Sequence, residues 1–170
     1  MMINKKSILI FLAKLAEVYP LGNFKLAPGT LASFISLFIG FYIFKLLGLT
    51  NYIIFLFIFI LIGYLLCEIH IIVYKRKDPK EVVIDEFAGQ FIAVLSTISS
   101  ESIFITFLSL MLSFLLFRFF DITKIGPIKK LESLPGGIGI MADDVVAGLC
   151  AFIVQCGILT AFDQQILIKM

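Results

Sequence analysis

The chain has 170 residues, of which 61% are hydrophobic and only 15% charged, with a mean hydropathy of +1.09. Soluble domains carry about a quarter charged residues, so the composition excludes an ordinary soluble protein and reads as an integral membrane protein. The formal net charge of +2 does not suggest a nucleic-acid partner, and the length suits a single domain over residues 1–170.

Residues 4–19 read as an amphipathic helix, with Ile8, Phe11, Leu12, Leu15 and Val18 at helical spacing and Lys5, Lys6, Lys14 and Glu17 elsewhere. The pattern leaves open whether it lies in the membrane interface or packs on a bundle. Lys14 and Glu17 break its apolar run and no small-residue cleavage site follows, so no signal peptide is expected. Two prolines and two glycines mark a turn over 20–29, with Thr30 the expected helix start. Residues 30–49 and 52–73 are each long enough to span, since a crossing needs about 20 apolar residues. Thr50 and Asn51 form the break between them, and Lys45 can snorkel. A polar segment over 74–83 precedes a third helix over 86–98, which begins near Val82. Its Glu86, Gln90, Ala93 and Thr97 share a polar or small face that lipid would penalise, so it should turn inward. After a break at Ser99 to Ser102, residues 103–120 form a fourth helix that carries Arg118 and leads to Asp121. In the polar loop 121–140, Pro127 and Pro135 forbid one continuous helix, and 129–133 make a short helical turn. A fifth apolar helix covers 141–162, with Asp144, Gly148, Ala151 and Gln155 on one stripe. The expected fold is all-α: a membrane-embedded bundle of an amphipathic N-terminal helix plus about five apolar helices.

With the N-terminus in the cytoplasm, residues 1–29, 74–85 and 118–143 lie inside and the turns at 50–51 and 99–102 outside. Every Lys and Arg except Lys45 and Lys169 is then inside, the positive-inside pattern. The same threading gathers Asp85, Glu86, Asp121, Asp143 and Asp144 at one membrane face. Five carboxylates at one level repel one another unless a divalent cation, or the nearby Arg118 and Lys124, relieves them. Taken singly, each suits a helix cap or a loop charge, and Asp143 and Asp144 suit a helix N-terminus. Taken together they point to metal-assisted chemistry on a phosphate at the membrane surface. Carboxylates hold a hard cation such as Mg²⁺, and Arg and Lys hold phosphate oxygens. Gly136, Gly137 and Gly139 either cradle a headgroup or shape a turn. Cys67, Cys150 and Cys156 have no CxxC spacing and read as small buried hydrophobes. His70 reads as a satisfied interfacial histidine, and Glu17, Glu68 and Glu132 as solvated charges.

Three blocks carry a family resemblance: LAPGTLAS from Leu26 to Ser33, VVIDEFAGQFIA from Val82 to Ala93, and FRFFDITKIGPIKKLESLPGGIGIMADDVVAG from Phe117 to Gly148. They resemble phosphatidylglycerophosphatase A, and the third, with FRxFDxxK, Pro-Ile and GGxGxMxDDxxAG, is the most specific. The resemblance implies a bundle of about six helices and a Mg²⁺-dependent enzyme integral to the bacterial inner membrane, acting at its cytoplasmic face. It would remove the terminal phosphate of phosphatidylglycerophosphate in the bilayer, giving phosphatidylglycerol. On this reading Asp85, Glu86, Asp121, Asp143 and Asp144 are metal ligands or general bases, with the roles undivided. Arg118 and Lys124 are the phosphate ligands. Lys25 and Lys130 are weaker candidates that suit ordinary headgroup contacts better, and Thr30 and Ser33 either donate hydrogen bonds or cap a helix. An aspartyl-phosphate intermediate on Asp121 stays open. So do a non-catalytic protein that binds a cation or lipid headgroup and, less favoured, a CDP-alcohol phosphotransferase, whose aspartates lie in one run rather than dispersed.

Overall fold

The computed structural model describes residues 5–76, 79–98 and 102–168, with side chains to Phe162. Asn4, Lys77, Asp78, Ser99, Ser100, Glu101 and Lys169, which the sequence reading placed in helices, breaks and the inside-outside pattern, lie outside the described residues. Six helices follow in order: α1 (Lys5–Ala16), α2 (Pro28–Tyr74), α3 (Ile84–Ala93), α4 (Ile103–Thr123), α5 (Ile128–Glu132) and α6 (Gly136–Ile168). Three of them, α2, α4 and the Gly136–Phe162 part of α6, are long and apolar enough to cross a membrane. The fold is the expected all-α bundle.

In α2 the backbone breaks at Gly48, with φ 70° and ψ 172°. A straight helix of that length would run about 70 Å, more than twice the hydrocarbon core. Instead the chain doubles back. The Tyr52 hydroxyl lies 3.2 Å from where a Cβ on Gly40 would sit, and Ala32 and Leu56 share one core cluster. The two arms, 28–47 and 49–74, are the two expected spans. The break falls at Gly48 rather than at Thr50–Asn51, because positive φ favours glycine. Asn51 stays helical and its Nδ2 donates to Leu47 O at 3.1 Å.

The helix expected over 86–98 is shorter. α3 has ten residues, about 15 Å of rise, and ends in a 3-10 turn over Val94–Ser96. Every residue from Phe87 to Val94 is buried. A helix end buried in apolar surroundings leaves carbonyls without water to bond. Three hydroxyls fill that need here. Tyr52 Oη donates to Phe91 O at 2.9 Å, Ser96 Oγ to Ala93 O at 2.8 Å and Thr97 Oγ1 to Val94 O at 2.7 Å. The fully buried Gln155 of α6 secures the same region from outside. Its Nε2 donates to Ser109 O at 2.9 Å, its Oε1 lies 3.0 Å from Ser96 Oγ, and Ser109 Oγ accepts from Ile98 N at 2.9 Å.

α3 and α6 touch backbone to backbone: a Cβ on Gly148 would lie 2.3 Å from Gly89 O. The contact sets Asp85 and Glu86 of α3 beside the α6 aspartates. α6 itself starts at Gly136, five residues before the expected start, so Asp143 and Asp144 lie about two turns inside it rather than at its N-terminus. Glycines disfavour a helix by about 1 kcal/mol each, which is why this stretch reads as loop. In the fold Glu68 Oε1 accepts from Gly137 N at 2.8 Å and holds the helix start. α4 runs three residues past its expected end, and Lys124 stops it in the left-handed region at φ 46°. Arg118 and Asp121 thus share one helical face. α1 packs on the bundle through Ala13 and Ala16 and leaves Ile8, Phe11 and Leu15 exposed.

Candidate active site

The N-terminal ends of α2 and α3, the C-terminal end of α4 and the first turns of α6 converge on a cavity of about 460 Å³. All five expected carboxylates line it, together with Arg118 and Lys124. They divide into two groups by their partners. Asp85, Glu86 and Asp144 each offer one carboxylate oxygen within 4.8 Å of the other two. Among the described residues no ion pair joins these three to a cation, and Glu86 Oε2 is buried without a partner. Asp121 and Asp143 are instead each tied to a base. Arg118 Nη1 lies 2.5 Å from Asp121 Oδ2, and Lys124 Nζ lies 2.7 Å from Asp143 Oδ2.

Local structure explains the split. Asp85 and Glu86 occupy the first turn of α3, where the positive end of the helix suits negative charge. Burial still outweighs that help. It pushes the Glu86 carboxyl up to about 8, with the charges of Asp144 and Asp121 adding to the effect. Asp85 is raised well above the usual carboxylate range by burial first and by the Glu86 charge second. For Lys124, burial opposes the charge, but its bonds to Asp143 and Glu132 prevail and its pKa rises above the usual lysine value. The triad is therefore a set of hard oxygen donors short of positive charge. Its chemistry fits Mg²⁺ better than a metal that favours histidine or thiolate.

Several lining residues had no signal in the sequence. Glu132, on α5, is exposed, as its sequence position suggests, and also pairs with Lys124 at 2.9 Å. Lys80, Pro28 and Gly29 also face the cavity, as does Gly139, one of the three glycines the sequence singles out. Gly29 is close enough to Glu86 that a Cβ there would lie 2.1 Å from its Oε1. Ser33 Oγ lies 3.3 Å from Arg118 Nη1 and donates to Gly29 O at 2.7 Å, so it braces the arginine. Lys25 and Lys130 are exposed and Thr30 faces a separate apolar groove; none of the three is among the residues lining the cavity. Gly136 lines the cavity, but Gly137 packs against Tyr64 and Cys67.

Two further sequence readings are corrected. Glu17 is only 2% exposed. Its carboxylate lies 2.7 Å from Lys14 Nζ and 3.3 Å from His70 Nε2, because α1 folds onto the second arm of α2. Glu68 is engaged at the start of α6 and is not a solvated charge.

A family model described as Phosphatidylglycerophosphatase A matches residues 14–159. A Phosphatidylglycerophosphatase A from Haemophilus influenzae is 38% identical over 153 residues, covering 89% of this chain and 91% of that one. A second relative, a Putative phosphatidylinositol-3-phosphatase from Bacteroides thetaiotaomicron, is 39% identical over 77 residues, 45% of this chain and 46% of its own. A Phosphatidylglycerophosphatase A from Escherichia coli is 32% identical over 83 residues, 48% of this chain and 43% of its own. No solved structure matches the chain.

Proposed function

The chain belongs to the phosphatidylglycerophosphatase A family of membrane phosphatases, and from that premise we propose that it is a single-domain, Mg²⁺-dependent enzyme. It hydrolyses the terminal phosphomonoester of phosphatidylglycerophosphate to phosphatidylglycerol and phosphate, at the cytoplasmic face of the bacterial inner membrane. The observation that supports this most is the division of the cavity into a cation-deficient carboxylate triad beside two braced cations. A phosphate-binding pocket alone would need only the cations.

In this reading Asp85, Glu86 and Asp144 would hold the Mg²⁺. A bound divalent cation supplies charge for the phosphoryl oxygens and lowers the pKa of a water. Arg118 and Lys124 bind the remaining phosphoryl oxygens, as charge-assisted donors in a partly dry site. Asp121 and Ser33 hold Arg118 in place, and Asp143 and Glu132 hold Lys124. Asp121 and Asp143 remain to accept a proton from the attacking water and to return one to the departing glycerol oxygen. Lys25, Thr30 and Lys130 contribute headgroup or lipid contacts away from the reacting phosphate. Lys25, Lys75, Arg76 and Lys80 sit at chain positions flanking the cavity-forming helix ends, which supports a cytoplasmic site.

The test is phosphate release from phosphatidylglycerophosphate in detergent micelles, with Mg²⁺ or EDTA, against phosphatidic acid and phosphatidylinositol 3-phosphate as rival substrates. Release from phosphatidylglycerophosphate should need Mg²⁺ and fall by at least about a hundredfold in Asp144→Asn, as for loss of a site-assembling group. Preference for either rival lipid would move the substrate assignment. No release from any lipid by well-folded protein would leave a binding protein.

A further inference from the structure

An apolar groove of about 300 Å³ lies beside the catalytic cavity, and nothing in the reaction described above uses it. One wall is the start of α2, where Ala27, Thr30, Leu31 and Phe34 follow helical spacing; another is Phe114 of α4, and Phe24 and Leu26 of the segment before α2 complete the groove. Cavity and groove share the same two helices. Pro28 and Gly29 face the cavity while their neighbours Ala27 and Thr30 face the groove. Phe114 stands one helical turn before Arg118, on the side away from the polar end of α4. The fully buried Ser33, bonded to Gly29 and near Arg118, links the same two helices. Phe34 meets Phe114 edge to face with ring centroids 5.6 Å apart, which closes the groove floor. The groove therefore adjoins the phosphate site at the start of α2 and reaches along α2 and α4 as far as Phe34 and Phe114, about one to two helical turns from the polar helix ends.

We infer that this groove seats an acyl chain of the phosphomonoester lipid whose headgroup occupies the cavity, so that substrate enters sideways from the bilayer between the first arm of α2 and α4. The inference rests on the lipid-phosphatase reading for its headgroup. Its occupant follows from adjacency: a chain attached to a phosphate held by Arg118 passes the start of α2, where Thr30 is the one polar lining side chain among the described residues, and then meets only apolar walls. Transfer of the chain from lipid to groove gains little hydrophobic energy, because both are apolar. The gain is orientation of the scissile phosphate.

The sequence contains no tryptophan, so Phe34→Trp places a single tryptophan, excited selectively over the tyrosines, in the groove. Phe57→Trp places one on the 72% exposed surface of the second arm of α2 as a control. Each variant is reconstituted with EDTA in vesicles doped with either phosphatidic acid or phosphatidylcholine brominated on its acyl chains. Position 34 should be quenched several-fold more by the brominated phosphomonoester lipid than by the brominated phosphatidylcholine, and Arg118→Ala should remove that preference. Position 57 should show no preference. Equal quenching by the two lipids at position 34 would sink the inference and leave ordinary bilayer contact there. Phe114→Trp repeats the test if Phe34→Trp fails to fold. This readout needs no turnover, so an inactive enzyme would overturn the functional reading while the groove is judged separately.

Discussion

At Glu86, burial and the charges of Asp144 and Asp121 outweigh the lowering hydrogen bond with Asp85, and among the described residues no ion pair ties Glu86 to Arg118 or Lys124. Its raised pKa means that the fold favours the protonated form. In EDTA, that contribution to stability is full at low pH and is lost as pH rises through about 8. Thermal unfolding in detergent should therefore shift to lower temperature across that window without Mg²⁺; on the proposed metal reading it should shift much less with it, since a bound ion would take the proton's place. A metal-free protein whose unfolding temperature ignores pH would contradict the triad. Gly29 makes a second point at this scale. Gly29→Ala forces Glu86 aside while leaving a helix start that alanine tolerates, so the protein should fold. Its kcat/KM for phosphate release should fall on the order of a hundredfold, as for a misplacement of about 1 Å. The five carboxylates were legible in the sequence because charge is rare in so apolar a chain. Their division was not: whether Asp121 faces a cation or an arginine depends on where α4 ends, and nothing in the letters shows that Glu132 shares Lys124.

At the scale of elements, α3 depends most on its neighbours. Its buried C-terminal end is secured by hydroxyls from α2 and from its own 3-10 turn, and by an amide from α6. Gln155→Leu removes that amide and leaves Ser96 and Ser109 short of partners. The loss should be about 2 kcal/mol, the penalty for stranded buried polar groups, read as a lower unfolding temperature. Activity at permissive temperature should survive, since Gln155 lies about three turns from Asp144 along α6. Equal stability of the variant would show that the network carries no load. The two arms of α2 and the body of α4 were readable from apolar length alone. The ends of α3 and α6 were not, because long-range contacts set them: Tyr52 and Gln155 allow α3 to stop early, and Glu68 allows a glycine-rich stretch to join α6.

For the whole molecule, the polar ends meet at one side and the Gly48 turn lies at the other, so orientation is a single binary property. In a variant with Cys67, Cys150 and Cys156 replaced by alanine, Asn51→Cys should react with a membrane-impermeant thiol reagent in cells with a permeabilised outer membrane. Lys130→Cys should react only after lysis. The opposite pattern would place the cavity outside and overturn the cytoplasmic assignment. The shortness of α3 has a consequence for biogenesis as well. A ten-residue helix is too short to cross the bilayer as an independent stem; α2, which shelters one side of it, is made before it, while α4 and α6 are made after it. α3 can therefore dock on α2 as soon as it is made, but its enclosure should be complete only after the ribosome has delivered α4 and α6.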